Sequence, residues 1–387
     1  MRVLGCIGVC GAVVFSSGCE TDGGGKLLEP LLFSSPDSAA RYGEPNDTIE
    51  QAVAVPTNDT PVPSAFHRLK DLDYYRFLAA QGATYIVRTL DLEPGVLTNL
   101  ELRDRDDKPV TPDTVGSTAP GAMRVVWKAR FAGYLYVRVS SVEGGRVGTY
   151  KLRISVGPDG YEPDNSISTA RMIAISGDPQ QHTLHERTDV DYVEFAGWSD
   201  FAYHIRVEVA DMAGNVSLSV VDATGNALAT NAAPPYESIT VTVPNDGFYF
   251  ASVAAKNDQA LGTYNISVTP ASDPWEPDST LALAKPISTD GAPQRHSFSS
   301  SADQDYIRFE AQAGRLYSIR TDSLSSGVDT QIELNSVAGT ALDSNDDWAS
   351  GKESGLTWTS ALSAPYYVRI RSSGVGKPGH YVVSVKG

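Results

Sequence analysis

One ordered set of motifs occurs three times in this chain, and that repetition constrains its fold more than any single residue does. Each copy opens on an acidic proline turn: Glu44-Pro45-Asn46-Asp47, Glu162-Pro163-Asp164-Asn165 and Glu276-Pro277-Asp278-Ser279. Downstream stand Asp71-Leu72-Asp73-Tyr74, Asp189-Val190-Asp191-Tyr192 and Asp303-Gln304-Asp305-Tyr306. Each copy closes on Gly148-Thr149-Tyr150, Gly262-Thr263-Tyr264 or Gly379-His380-Tyr381. The steps from 44 to 162 and from 71 to 189 are both 118 residues, and those from 162 to 276 and from 189 to 303 are both 114. Anchors that stay in step through both intervals mark duplication of a whole unit. Its length is that of a domain, not of a solenoid repeat.

Within a unit the apolar residues recur at every second position. Tyr134-Leu135-Tyr136-Val137-Arg138-Val139, Ala202-Tyr203-His204-Ile205-Arg206-Val207 and Ser238-Ile239-Thr240-Val241-Thr242-Val243 alternate as half-buried strands do. Turn residues separate them, as at Asp222-Ala223-Thr224-Gly225-Asn226 and Pro244-Asn245-Asp246-Gly247. The pattern predicts an all-β chain of three tandem antiparallel β-sandwiches, over residues 42–157, 158–270 and 271–387. A short helical turn is expected after each opening motif, at 48–52 and 279–284. Tyr74, Tyr192 and Tyr306, with Phe77, Phe195 and Phe309, are expected to fill or rim the cores, as are Tyr136, Phe250 and Tyr367.

Residues 1–18 read as a lipoprotein-type signal peptide. Arg2 is their one charge, and the apolar run Leu4–Phe15 is too short to anchor across a bilayer. Ser16-Ser17-Gly18-Cys19 resembles a bacterial lipoprotein cleavage box, with Ser16 where an aliphatic residue is usual; an ordinary secretory signal is the alternative. Cys6 and Cys10 lie inside the segment, which leaves Cys19 as the lone thiol of the processed chain and the expected lipid attachment point. Residues 19–41, with Gly23-Gly24-Gly25 and Ser34-Ser35-Pro36, then form a flexible linker. The expected location is the bacterial cell envelope, at the outer membrane or cell surface.

The net charge of −16 is unevenly spread. Residues 157–270 carry 4 basic against 15 acidic side chains, a balance of −11, whereas residues 41–156 carry 15 against 14. Such an acidic chain is unsuited to nucleic acid, since nothing neutralises a polyanion. The middle repeat should attract cations, although solubility alone also accounts for its charge.

The ordered motifs E-P-N-D, D-x-D-Y-Y-x-F and G-x-Y resemble the bacterial pre-peptidase C-terminal domain over residues 41–387. Repeat 1 has them most fully, in Glu44–Thr48 and Asp71–Phe77. Repeat 3 adds Asp329-Thr330-Gln331-Ile332 and Asn345-Asp346-Asp347, similar to a later acidic loop of that family. The resemblance implies a jelly-roll-like sandwich appended to secreted proteases, distantly similar to the collagen-binding domains of clostridial collagenases. It also implies calcium at the opening segment and the D-x-D. By position the ligands would be Glu44, Asn46, Asp47, Asp71 and Asp73 in repeat 1, the repeat expected to hold calcium first. In repeat 2 they would be Glu162, Asp164, Asn165, Asp189 and Asp191, and in repeat 3 Glu276, Asp278, Asp303 and Asp305, with Ser279 a weaker donor. Hard carboxylate oxygens converging in an exported domain suit calcium on chemical grounds as well. Turn chemistry is the alternative, because Asn, Asp and Ser satisfy loose backbone donors.

No catalytic constellation is visible. H-E-x-x-H, G-x-S-x-G and a phosphate loop are all missing, and His182-Thr183-Leu184-His185 lacks the carboxylate and further ligand of a zinc motif. His182 and His296 fall nine residues before Asp191 and Asp305, and their shared position reads as the surface of a strand. Asp343–Asp347 resembles the start of an EF-hand, but Trp348 stands where that loop requires Gly. The chain is expected to be a non-enzymatic lipoprotein. Its sandwiches, through their sheet faces and loops and exposed residues such as Trp127, Trp198 and Trp348, would bind an extracellular protein or polysaccharide or stabilise a surface assembly; partly buried core is the equal alternative for these tryptophans, and none is named as a binding residue. An accessory role beside a secreted protease, in folding or substrate capture, is the alternative. A hydrolase would need an acidic pair in a cleft.

Overall fold

The computed structural model describes residues 42–142, 146–209, 216–231, 238–256, 261–348, 351–374 and 376–387. The expected signal segment, Cys19 and the linker to residue 41 lie outside them.

Alternating sequence becomes alternating burial. Along Thr84–Leu90 every second residue is buried, so Tyr85, Val87 and Thr89 point inward while Ile86 and Arg88 do not. The described residues form six sheets in three face-to-face pairs, one pair within each repeat. In repeat 2 one sheet runs Arg171–Met172, Val190–Gly197, Gly247–Ala255, Val216–Asp222, Ala227–Asn231. Its partner runs Gln180–Leu184, Gly262–Ser272, Ala202–Val209, Ser238–Thr242. Repeats 1 and 3 keep the same order, with one further edge strand, Thr114–Ala119, in repeat 1. The pairings are antiparallel except for the two-residue strands that open each repeat, which run parallel to the D-x-D strand. The chain is all-β, built of sandwiches; the short helical turns after the opening motifs are single 3₁₀ turns at Ile49–Gln51, Ile167–Thr169 and Leu281–Leu283.

Each pair of sheets encloses its own apolar cluster, centred on Phe77, Tyr85 and Trp127 in repeat 1, on Phe195, Tyr203 and Tyr249 in repeat 2, and on Phe309, Tyr317 and Tyr366 in repeat 3. Trp127 is therefore core rather than contact surface, at 1% exposure, because it faces inward on an alternating strand. Trp198 is partly buried against the second core, and Trp348 is exposed beneath the Arg320 guanidinium.

The two junctions between repeats differ. Between repeats 2 and 3, His380 stacks on Trp198 with ring centroids 4.1 Å apart, and its Nε2 lies 2.8 Å from the Tyr203 hydroxyl. By the 118-residue step Trp198 matches Ala80, and by its place in the closing G-x-Y motif His380 matches Thr263 between repeats 1 and 2. Both line a cavity of about 510 Å³.

Candidate cation sites at three acidic corners

Each opening turn is tied to its D-x-D strand by backbone. The amides of Tyr74, Tyr192 and Tyr306 donate to the carbonyls of Asn46, Asp164 and Asp278 at 2.8, 2.9 and 3.0 Å. The Glu-Pro bonds of all three turns are cis. Glu44, Glu162 and Glu276 each accept, through Oε2, the amide two residues further on, at 3.1, 3.3 and 3.1 Å. These bonds bring three side chains into one corner of each sandwich: the glutamate, the residue at 46, 164 or 278, and the second aspartate of the D-x-D.

That second aspartate is buried in every repeat, and a tyrosine from the opposite sheet holds it. Tyr150 donates to Asp73, Tyr264 to Asp191 at 2.6 Å, and Tyr381 to Asp305. The closing G-x-Y motif is thus the hydrogen-bond donor to the D-x-D, a link absent from the sequence reading. Its signal was there, in the equal recurrence of the two motifs. The first aspartate does turn work: Asp71, Asp189 and Asp303 accept the amides of His67, His185 and Ser299 through Oδ2, at 2.6, 2.8 and 2.7 Å.

The outermost residues named as ligands have other partners. Asp47 pairs with Arg68, Asn165 Oδ1 accepts the Val190 amide at 3.3 Å, and Ser279 offers its carbonyl to Gln304 at 3.2 Å. What remains differs between repeats. In repeat 2, Glu162, Asp164 and Asp191 bring carboxylate oxygens within 4.8 Å of one another; in repeat 3, Glu276, Asp278 and Asp305 do the same. Both oxygens of Asp164 and of Asp278, with Asp191 Oδ1 and Asp305 Oδ1, are buried without a hydrogen-bond partner. Orphaned carboxylate oxygens are costly unless a proton or a cation lies among them. In repeat 1 the third carboxylate is replaced by the Asn46 amide, which satisfies both acids when its nitrogen is the atom turned toward them, 3.0 Å from Glu44 Oε2 and 3.3 Å from Asp73 Oδ1. Arg68 adds a positive charge there, with Nε 3.3 Å from Asp71 Oδ1. Glu186 and Ser300 stand at its place in repeats 2 and 3.

Proton affinities follow this geometry. Burial pushes Asp191 up to about 9, with the negative charges of Asp164 and Asp189 adding to it. Burial likewise pushes Asp278 up to about 8, helped by Glu276. Asp73 and Asp305 are raised well above the carboxylate range for the same reason, and Glu44, Glu162, Glu276, Asp71 and Asp189 are raised less.

The histidines require a correction. His182 and His296 are not on a strand surface; both are fully buried at the corner, directly opposite Tyr264 and Tyr381 in the strand register. His182 Nδ1 lies 3.2 Å from Asp164 Oδ2, and His296 Nδ1 lies 3.5 Å from Asp278 Oδ2. His185 also has carboxylates after all, since its Nδ1 is 3.1 Å from Glu162 and 2.6 Å from Asp189. Apart from Asp189, four residues after His185, these partners come from opening turns remote in sequence, which spacing could not reveal.

No family model matches the chain. It is 26% identical over 239 residues to a probable subtilase-type serine protease of Deinococcus radiodurans, across 60% of this chain and 30% of that protease. The chain therefore spans under a third of that relative's length. Among solved structures, the pre-peptidase C-terminal domain of a Bacillus anthracis collagenase aligns at 18% identity and a TM-score of 0.23, over 27% of this chain and 94% of that one. A tandem pair of CBM22 domains from Paenibacillus barcinonensis aligns at 10% identity and a TM-score of 0.18, over 56% of this chain and 95% of that one.

Proposed function

We propose that this chain is a non-enzymatic, exported binding protein, lipid-anchored at Cys19 in the cell envelope. Its sandwiches are braced by divalent cations, calcium first, and they present their loops to an extracellular protein or polysaccharide. The observation that carries this reading is the set of buried, unpartnered carboxylate oxygens at the same corner of repeats 2 and 3. A bound cation would supply the positive charge that those corners lack and hold the opening turn against the D-x-D strand. Glu162, Asp164 and Asp191 would hold it in repeat 2, and Glu276, Asp278 and Asp305 in repeat 3. Repeat 1 ranks behind them, because the Asn46 amide and Arg68 already neutralise its corner.

Calorimetric titration of the chelator-stripped full chain with calcium, with melting curves alongside, tests this reading. Saturable binding and a raised melt, both diminished in Asp191→Asn, are expected. No heat and no change in melting would leave the corners as turn chemistry and the chain as a cation-independent scaffold. A second reading, an accessory factor for a secreted protease, is favoured by the 26% identity to part of a subtilase-type enzyme. Co-purification with such a protease would support it.

A further inference from the structure

Two buried imidazoles at the acidic corners have their orientation set on three sides. His182 lies between the rings of Tyr161 and Tyr264, stacked with centroids at 4.4 and 5.7 Å; His296 lies between Trp275 and Tyr381 at 5.9 and 5.6 Å. The third constraint is a glutamine. Gln180 donates its amide nitrogen to the Met172 carbonyl at 2.8 Å, which leaves its Oε1 facing His182 Nε2 at 3.3 Å. Gln294 repeats the arrangement, donating to the Pro286 carbonyl at 3.1 Å and facing His296 Nε2 at 3.1 Å.

An amide oxygen can only accept, so Nε2 carries the proton and Nδ1 presents its lone pair. Beside it lie carboxylate oxygens which themselves have no donor: Asp164 Oδ2 at 3.2 Å in repeat 2 and Asp278 Oδ2 at 3.5 Å in repeat 3. Both imidazoles and both aspartates are at most 1% exposed. Acceptor facing acceptor at hydrogen-bond distance is repulsive unless something positive lies between them. A ring oriented by an outer hydrogen bond on its far nitrogen is also how metal-bound histidines are held. The 3.2 Å separation of Nδ1 and Oδ2 in repeat 2 matches the edge of a tetrahedron with bonds of about 2.0–2.1 Å, which is roughly 3.3 Å.

We propose that His182 and His296 make the corners of repeats 2 and 3 mixed nitrogen–oxygen sites, selective for a divalent transition metal of the zinc class over calcium. The donors in repeat 2 are His182 Nδ1 and Asp164, 3.2 Å apart, with Asp191, which groups with His182 and Asp159 within 4.8 Å; in repeat 3 they are His296 Nδ1 and Asp278, 3.5 Å apart. Imidazole suits such ions, whereas calcium takes oxygen. Repeat 1 has Ser64 at the histidine position and an amide at Asn46, so it lacks this particular site. The inference rests on the corners being cation sites and adds the identity of the cation.

The test is titration of the chelator-stripped full chain with zinc chloride and, separately, calcium chloride, with cobalt(II) absorption as an independent report on the ligands. Two equivalents of zinc that calcium does not displace, a raised melt and visible cobalt bands are expected. His182→Gln and His296→Gln should each remove one equivalent. Gln180→Ala, which leaves the ligands in place and frees only the ring, should weaken one site about 10–100-fold; it keeps the test open if a buried histidine variant fails to fold. Zinc binding unchanged in all three variants would overturn the inference, as would calcium binding that zinc cannot match; in the latter case the calcium reading stands. Binding of neither metal would remove both readings.

Discussion

Repeats 1 and 2 build the same corner from the same backbone and neutralise it in opposite ways. Repeat 1 supplies its own compensation: the Asn46 amide donates to two acids, and Arg68 pairs with Asp47 and sits beside Asp71. Repeat 2 has Asp164 for the amide and Glu186 for the arginine, and both oxygens of Asp164 are buried without a donor. An internally satisfied corner is a closed piece of structure. One short of positive charge is where an ion or a proton must enter, and the balance of −11 over residues 157–270 draws cations toward it.

The largest effect should come from importing the second arrangement into the first. Asn46→Asp would remove both donated hydrogen bonds and add a buried charge. In chelator it should destabilise the first sandwich by about 3 kcal/mol, read as an earlier unfolding step in calorimetry, with added divalent cation restoring part of the loss. The reverse exchange, Asp164→Asn, should stabilise repeat 2 in chelator by about 1–2 kcal/mol and abolish its response to cation. A variant that lost stability in chelator would contradict the account of this corner.

The acidity of the medium sharpens the contrast further. Asp191 and Asp278 hold their protons more tightly folded than unfolded, pushed up to about 9 and about 8 chiefly by burial. Their contribution to stability is full below the unfolded carboxyl value of about 4 and is lost as pH rises toward 8 to 9, where the folded chain also ionises. In chelator the melting temperature should therefore fall between those limits, more shallowly in Asp278→Asn, and cation should offset most at the alkaline end. The smallest effect belongs to a control. Lys377 pairs with Asp178 across the junction of repeats 2 and 3, but both are largely exposed. Lys377→Ala should cost under about 1 kcal/mol and leave cation binding unchanged.

How far the corner could be read from sequence depended on the range of each interaction. The glutamate of the opening turn and the D-x-D were legible because their recurrence at fixed offsets announced a shared role. Their division of labour was not. Asp71 and Asp73 are two residues apart on one strand, yet one caps a turn and the other meets Tyr150 from the facing sheet. Polar itself, on a strand whose one apolar residue is Leu184, His182 looked like a surface residue. It is inside because strand register sets it opposite Tyr264, with Tyr161 closing the other face. For Trp127, contact surface and core were equal alternatives, and the inward phase of its strand decides for core.

By itself the sequence determined the triplication and the all-β sandwich class, since period-2 alternation and matched offsets are local or self-referential signals. Only the tertiary structure decided which acids converge, which are satisfied by an amide or a tyrosine, and where the imidazoles lie. Those relations join residues some 20 to 80 positions apart. They depend on strand register and on the docking of one sheet upon another, which no stretch of sequence encodes alone.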